Sequence, residues 1–243
     1  MRHIFAIGGG EIRLHDTFTI DKMIVEAANK KHPNLLFIPT ASGEPEGYIE
    51  VIENIYGQEL GCNVETLYLI KEDADYQQIR KKIIQSDIVY VGGGDTYSML
   101  KLWKEHKVDK LLIEAYNNGT ILSGLSAGSI CWFEYGHSDS DIISNRSTRF
   151  IKINGLGLIK ALHCPHYNEQ ERIEDFEKLL SESDDIGIAI ENNCAIEIFE
   201  DKYRIIKSVE DAHAYKIYKK ENKIHKEELV NTDYCNLDLL LSK

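Results

Sequence analysis

The chain has 243 residues, 43% hydrophobic and 28% charged, which is enough apolar material for a sizeable folded core. Its formal net charge of −12 leaves no basic excess to neutralise phosphate, so nucleic acid and anionic membrane surfaces are excluded as the main partner. No apolar run approaches the ~20 residues needed to span a bilayer.

The first strand is expected over residues 3–8, where HIFAIG runs into three glycines. Ile20, Met23, Ile24 and Ala27 then share one face of a helix over residues 20–31. Strands follow over 34–40 and 62–70, a helix over 76–85 with Ile79, Ile83 and Ile84 on one side, and a strand over 87–93. Residues 97–116 read as helix, broken near His106, before a strand over 119–124 and a further helix beyond it. Strict alternation of strand and helix implies a parallel sheet covered by helices. A helix over 168–180 leads into closely spaced strands over 185–191, 194–200, 202–207 and 212–220, a spacing that suggests antiparallel pairs. The expected fold is therefore α/β: three layers, one mixed and mainly parallel sheet, antiparallel strands added at the C-terminal end, and residues 1–243 as one domain. The charged tail from Lys219 is expected to be peripheral. Five widely spaced cysteines without a C-x-x-C pair read as reduced thiols. With a short N-terminal apolar run that does not resemble a secretion signal, they point to the cytoplasm.

Three glycine clusters follow predicted strands, on the side of an open α/β sheet where ligands bind. Gly8-Gly9-Gly10 begins a broken G-x-G-x-x-G, since position 13 is arginine; it is either a permissive turn or a substrate contact through Gly9. Gly92-Gly93-Gly94 precedes Asp95 and Thr96, which can cap the next helix or contact substrate, and its backbone N–H groups suit an oxyanion hole or an anion nest. Gly124-Leu125-Ser126-Ala127-Gly128 fits G-x-S-x-G, a strand-to-helix turn that exposes a serine hydroxyl beside the N–H of the next residue, Ala127. Ser126 is thus the candidate nucleophile.

A serine needs a base, and ALHCPHYNEQ (161–170) places His163 and His166 at the end of an element. His166 is preferred because Pro165 fixes the backbone before it and a helix starts just after. His163, Cys164 and His166 are too close together to close a metal site, so no metal or cofactor is expected. The acid that orients the imidazole is assigned to Glu191, at the end of an apolar strand, with Asp141 as its rival. Two other readings remain: a non-catalytic module binding a small anion or nucleotide, and an esterase using the same serine.

With these residues in view the chain resembles the peptidase E (aspartyl dipeptidase) family, whose relatives include cyanophycinase. VGGGDT, GLSAGS, PHY and IAIENN occur in the family's order and at similar spacing. The resemblance implies a serine peptidase with a fold like that of class I glutamine amidotransferases and a small peptide as substrate. It implies Ser126 as nucleophile, His166 as base, and N–H groups at Gly93, Gly94 and Ala127 as the oxyanion hole. Glu191 matches the cyanophycinase-like acid; Asp141 lies near the acid proposed for peptidase E. The stretch after the histidine is shorter than in peptidase E and acidic, and Arg146, Arg149 and Arg172 are the cations at hand for an aspartyl substrate. A monomer and a homodimer are equally compatible with the sequence.

Overall fold

The computed structural model describes residues 1–72 and 75–243. Its elements begin with β1 (His3–Ile7), α1 (Phe18–Ala27), β2 (Asn34–Ile38), α2 (Glu46–Ile52), β3 (Asn63–Thr66) and α3 (Tyr76–Gln85). Next come β4 (Ile88–Val91), α4 (Thr96–His106), α5 (Val108–Asn117), β5 (Ile121–Leu125) and α6 (Ala127–Ile130). The middle of the chain holds β6 (Phe133–Ser138), α7 (Ser140–Ile143), β7 (Ile151–Asn154), β8 (Ile159–Cys164) and α8 (Gln170–Ser181). The last stretch is β9 (Ile186–Ile190), β10 (Cys194–Phe199), β11 (Lys202–Lys207), β12 (Ala214–Lys220), β13 (Lys223–Glu228), β14 (Cys235–Asn236) and α9 (Leu237–Leu241).

The strands form two sheets where the sequence predicts one. The first runs β14-β11-β10-β1-β5-β4-β2-β3, and β1, β5, β4, β2 and β3 are parallel. The second runs β13-β12-β9-β8-β6-β7, with β6, β8 and β9 parallel. The antiparallel C-terminal strands are divided between them: β10 and β11 extend the first sheet beside β1, while β12 and β13 extend the second beside β9.

Residues of period two explain the layering. Along β1, Ile4 and Ala6 face one core, while Phe5 and Ile7 face another. The core on the Phe5 side is closed by Ile20 and Ile24 of α1 and Ile49 and Ile52 of α2. The core on the Ile4 side is shared with α3, α4 and α5 and with residues of the second sheet, among them Phe133, Ile153, Ile188 and Ala214. α8 covers the outer face of the second sheet with Phe176 and Leu180. The molecule is an α/β protein of mixed sheets flanked by helices.

Several elements depart from the sequence reading for local reasons. β3 is shorter than expected: the Leu67 N–H still donates to the Phe37 carbonyl at 2.9 Å, but those of Leu69, Ile70 and Lys71 donate to the buried carboxylate of Glu44 at 2.6, 2.9 and 3.0 Å. The break inside 97–116 falls at Lys107, whose φ of 59° ends α4 and starts α5. The helix expected after Ser126 is only four residues long, and the β-rich Phe133–Ser138 follows it. The tail is peripheral along exposed β13, yet its end packs inward: β14 pairs with β11, and Leu240 is fully buried. No helix among the described residues is long and apolar enough to cross a membrane.

Candidate active site

β5 delivers Ser126 to the turn before α6 with φ 57° and ψ −113°, a strained conformation for a residue with a side chain. Room for the turn comes from the flanking glycines. A Cβ on Gly124 would collide with the Gly128 carbonyl, and one on Gly128 with the Val91 carbonyl. The small residues of G-x-S-x-G therefore answer a steric demand. The Ser126 N–H donates to the Ile7 carbonyl at 3.1 Å, and its own carbonyl accepts the Ser129 and Ile130 N–H groups at 2.9 Å each.

β8 delivers the histidine. His166 sits at φ 52°, and its N–H donates to the Gly8 carbonyl at 2.9 Å. Its Nε2 is 2.9 Å from Ser126 Oγ. Its Nδ1 is 2.7 Å from Asn192 Oδ1. An amide oxygen can only accept, so the ring proton sits on Nδ1 and the Nε2 lone pair takes the hydrogen bond from the serine hydroxyl. Burial and then the nearby Arg172 guanidinium hold His166 below the usual imidazole range, against the opposing pull of Asn192, Glu169 and Asp139.

The two carboxylates named from the sequence lie elsewhere. Glu191 Oε2 accepts the His213 N–H at 2.9 Å, and the Glu191 N–H donates to the His213 carbonyl, so this residue is bound toward β12. Asp141 is paired with Arg146 at 2.9 Å. The imidazole partner is the next residue after Glu191, Asn192. Its N–H is held by Asn168 Oδ1 at 3.0 Å.

The glycine clusters divide in role. Gly93 abuts the Ser126 turn: a Cβ there would lie 3.4 Å from Ser126 Cβ. Gly94 follows it directly, and Ala127 opens α6. Asp95 caps α4, accepting the Ser98 N–H at 3.1 Å and the Ser98 hydroxyl at 2.6 Å; Thr96, the first residue of that helix, is buried. Gly9, read from the sequence as either a permissive turn or a substrate contact, lies behind the His166–Asn192 hydrogen bond. A Cβ on it would overlap Asn192 Oδ1 and His166 Nδ1 and come within 2.6 Å of His166 Cε1.

His163 and Cys164 do not join the pair. The His163 ring is buried against Ser129 and Ile188, and Cys164 Sγ faces His137 Nδ1 at 3.5 Å. Burial pushes the Cys164 and Cys131 thiols far up, which leaves them protonated. Among the described residues no group of three or more His, Cys, Asp or Glu is placed to hold a metal ion.

A family model described as Peptidase family S51 matches residues 4–206. The chain belongs to peptidase family S51. It is therefore a serine peptidase, a hydrolase of peptide bonds. Over 228 residues, 92% of this chain and 95% of the other, the S51 chain is 32% identical to an uncharacterized peptidase, YgaJ, of Bacillus subtilis (strain 168). It is 31% identical over 104 residues to peptidase E of Haemophilus influenzae (strain ATCC 51907 / DSM 11121 / KW20 / Rd), covering 42% of this chain and 44% of that one. The fold is shared with a crystal structure of a peptidase from an acI-B1 Actinobacterium, at a TM-score of 0.74 and 22% identity over 97% of both chains.

Proposed function

We propose that Ser126, His166 and Asn192 form a Ser–His–Asn triad that hydrolyses short peptides through an acyl-enzyme. The observation that carries this reading is the unbroken line of hydrogen bonds from Ser126 Oγ through the imidazole to Asn192 Oδ1. His166 takes the Ser126 proton as Oγ attacks the amide carbonyl. The N–H of Ala127 and those of the Gly93-Gly94 turn stabilise the oxyanion. His166 then gives its proton to the leaving amine, and water, activated by the same imidazole, releases the acyl group.

Asn192 holds the tautomer but brings no charge to the imidazolium. Glu169 and Asp139 favour the protonated ring, and the Arg172 guanidinium beside them opposes it more strongly than either. The same two carboxylates pair with Arg172, and Asp141 pairs with Arg146. An N-terminal aspartate would compete with these acids for Arg146 and Arg172, leaving exposed Arg149 alone of the three without an acid partner among the described residues, and neutral dipeptides are expected to be cleaved at least as well as Asp-X. A β5–Ser126–α6 turn at the end of a parallel strand supports a fold of the class I glutamine amidotransferase type. Five free cysteines, four of them buried, support a cytoplasmic setting.

The test is hydrolysis of Asp-X, Leu-X, Gly-X and β-aspartyl dipeptides by the wild type and by Ser126→Ala. Turnover of at least one member by the wild type, and of none by the variant, is the expected result. Undiminished turnover in Ser126→Ala overturns the triad.

A further inference from the structure

Beneath the nucleophile turn lies a second serine–histidine pair. Ser129 and His163 are both fully buried. Ser129 Oγ is 2.7 Å from the Ser126 carbonyl oxygen and 2.8 Å from His163 Nε2, and His163 Nδ1 is 2.8 Å from the Ile188 carbonyl oxygen. Phe133 stacks on the imidazole at 4.3 Å between ring centres. A line of three contacts thus joins β9 to the backbone of the nucleophile.

Both ends of this line are carbonyl oxygens, which only accept. Three hydrogen bonds need three hydrogens. The hydroxyl supplies one and a neutral imidazole one more; only an imidazolium would supply the third. Burial pushes His163 down to about 3, so the ring is neutral and one contact lacks its hydrogen. With the ring proton on Nε2, the imidazole donates to Ser129 and the hydroxyl donates to the Ser126 carbonyl. With the proton on Nδ1, Ile188 is served and the hydroxyl turns back to the ring. The first arrangement makes the shortest of the three contacts, Ser129 Oγ to the Ser126 carbonyl at 2.7 Å, a hydrogen bond.

We infer that Ser129 and His163 are a positioning pair that clamps the Ser126 carbonyl and so fixes the strained backbone that aims Ser126 Oγ at His166. The inference rests on Ser126 being the nucleophile. Strained dihedrals persist only where the surroundings over-determine them. α6, a single turn of four residues, has few hydrogen bonds of its own with which to do so. Neither Ser129 nor His163 touches a reacting atom, so their loss acts on the chemical step and not on substrate binding.

The test compares wild type, Ser129→Ala, His163→Leu, the double variant and Ser126→Ala. The readouts are kcat and KM on the cleaved dipeptide, the rate of labelling by a serine-directed fluorophosphonate, and Tm. Ser129→Ala removes one oxygen from a buried site and is the variant that keeps the experiment readable if His163→Leu does not fold. It is expected to lower kcat and the labelling rate about tenfold or more, with KM held within about twofold, because small misplacements of reacting groups cost orders of magnitude. The double variant is expected to be no slower than the slower single one. Wild-type kcat and labelling in Ser129→Ala overturn the inference, as do single-variant losses that multiply in the double variant. A folded wild type that cleaves dipeptides without being labelled at Ser126 overturns the nucleophile reading, and this inference with it.

Discussion

Asn192 and Glu191 are neighbours in sequence that serve opposite sides of the molecule. Glu191 still belongs to the β9–β12 ladder through both of its bonds to His213. Asn192 is the first residue free of that ladder, and its side chain reaches His166. A neutral orienter has a measurable consequence. With His166 held below its ordinary 6.5, the acidic limb of kcat/KM should have its midpoint below pH 6.5. Asn192→Asp places a carboxylate against Nδ1–H, favours the imidazolium and raises the His166 pKa. The limb should then move to higher pH, so that the variant loses activity at pH 6 while keeping it at pH 8. Identical midpoints in the two pH–rate profiles would remove Asn192 from the proposed triad. Ser126 and His166 were legible because each has a local sign: a serine between glycines after an apolar run, and a histidine after proline at an element end. Asn192 was not, because the choice between adjacent residues depends on where β9 leaves its ladder, and one residue of register reverses the face.

At the scale of elements, the site is assembled by the end of β1. Three successive carbonyls hold three separate pieces of chain: Ile7 the Ser126 N–H at 3.1 Å, Gly8 the His166 N–H at 2.9 Å, and Gly9 the Asn193 N–H at 2.9 Å. The end of β1 thus fixes the backbones of Ser126, of His166 and of the residue after Asn192, and the His166–Asn192 bond crosses directly over Gly9. Gly9→Ala should part that bond and lower kcat/KM by about 100-fold or more, at a stability cost of about 1–3 kcal/mol from overpacking. Dipeptide hydrolysis and thermal melting measure the two effects; near-wild-type activity would mean that the bond is not needed. Four of the five parallel strands, β1, β2, β4 and β5, were readable from apolar runs with both faces buried; β3, at the sheet edge, is largely exposed. The division into two sheets was not. β9 and β10 are separated only by residues 191–193, a spacing that reads as a hairpin, yet they lie in different sheets. That short link, with Asn193 at φ 63°, carries the chain across the molecule and sets Asn192 at the junction.

For the molecule as a whole, the question raised by two sheets is whether they unfold together. Residues of both sheets share one core: Ile4, Leu36 and Val89 of the first pack in the same cluster as Phe133, Ile153 and Ile188 of the second. The two tryptophans sit in that cluster, fully buried, with ring centres 6.5 Å apart. Trp103 lies on α4, beside the first sheet, and Trp132 leads into β6 of the second, so each reports on its own side of the contact. A shared core predicts one cooperative unit. Calorimetry should show a single transition, with an enthalpy of about 170 kcal/mol near 60 °C by the usual per-residue scaling. The single-tryptophan variants Trp103→Phe and Trp132→Phe should report the same midpoint by fluorescence as far-ultraviolet circular dichroism gives for each. A Trp132 signal that melts before Trp103 would instead mean that the second sheet opens alone. Because Ser126 leaves the first sheet and His166 the second, such an opening would separate the proposed nucleophile from its proposed base, and activity would be lost at the earlier midpoint.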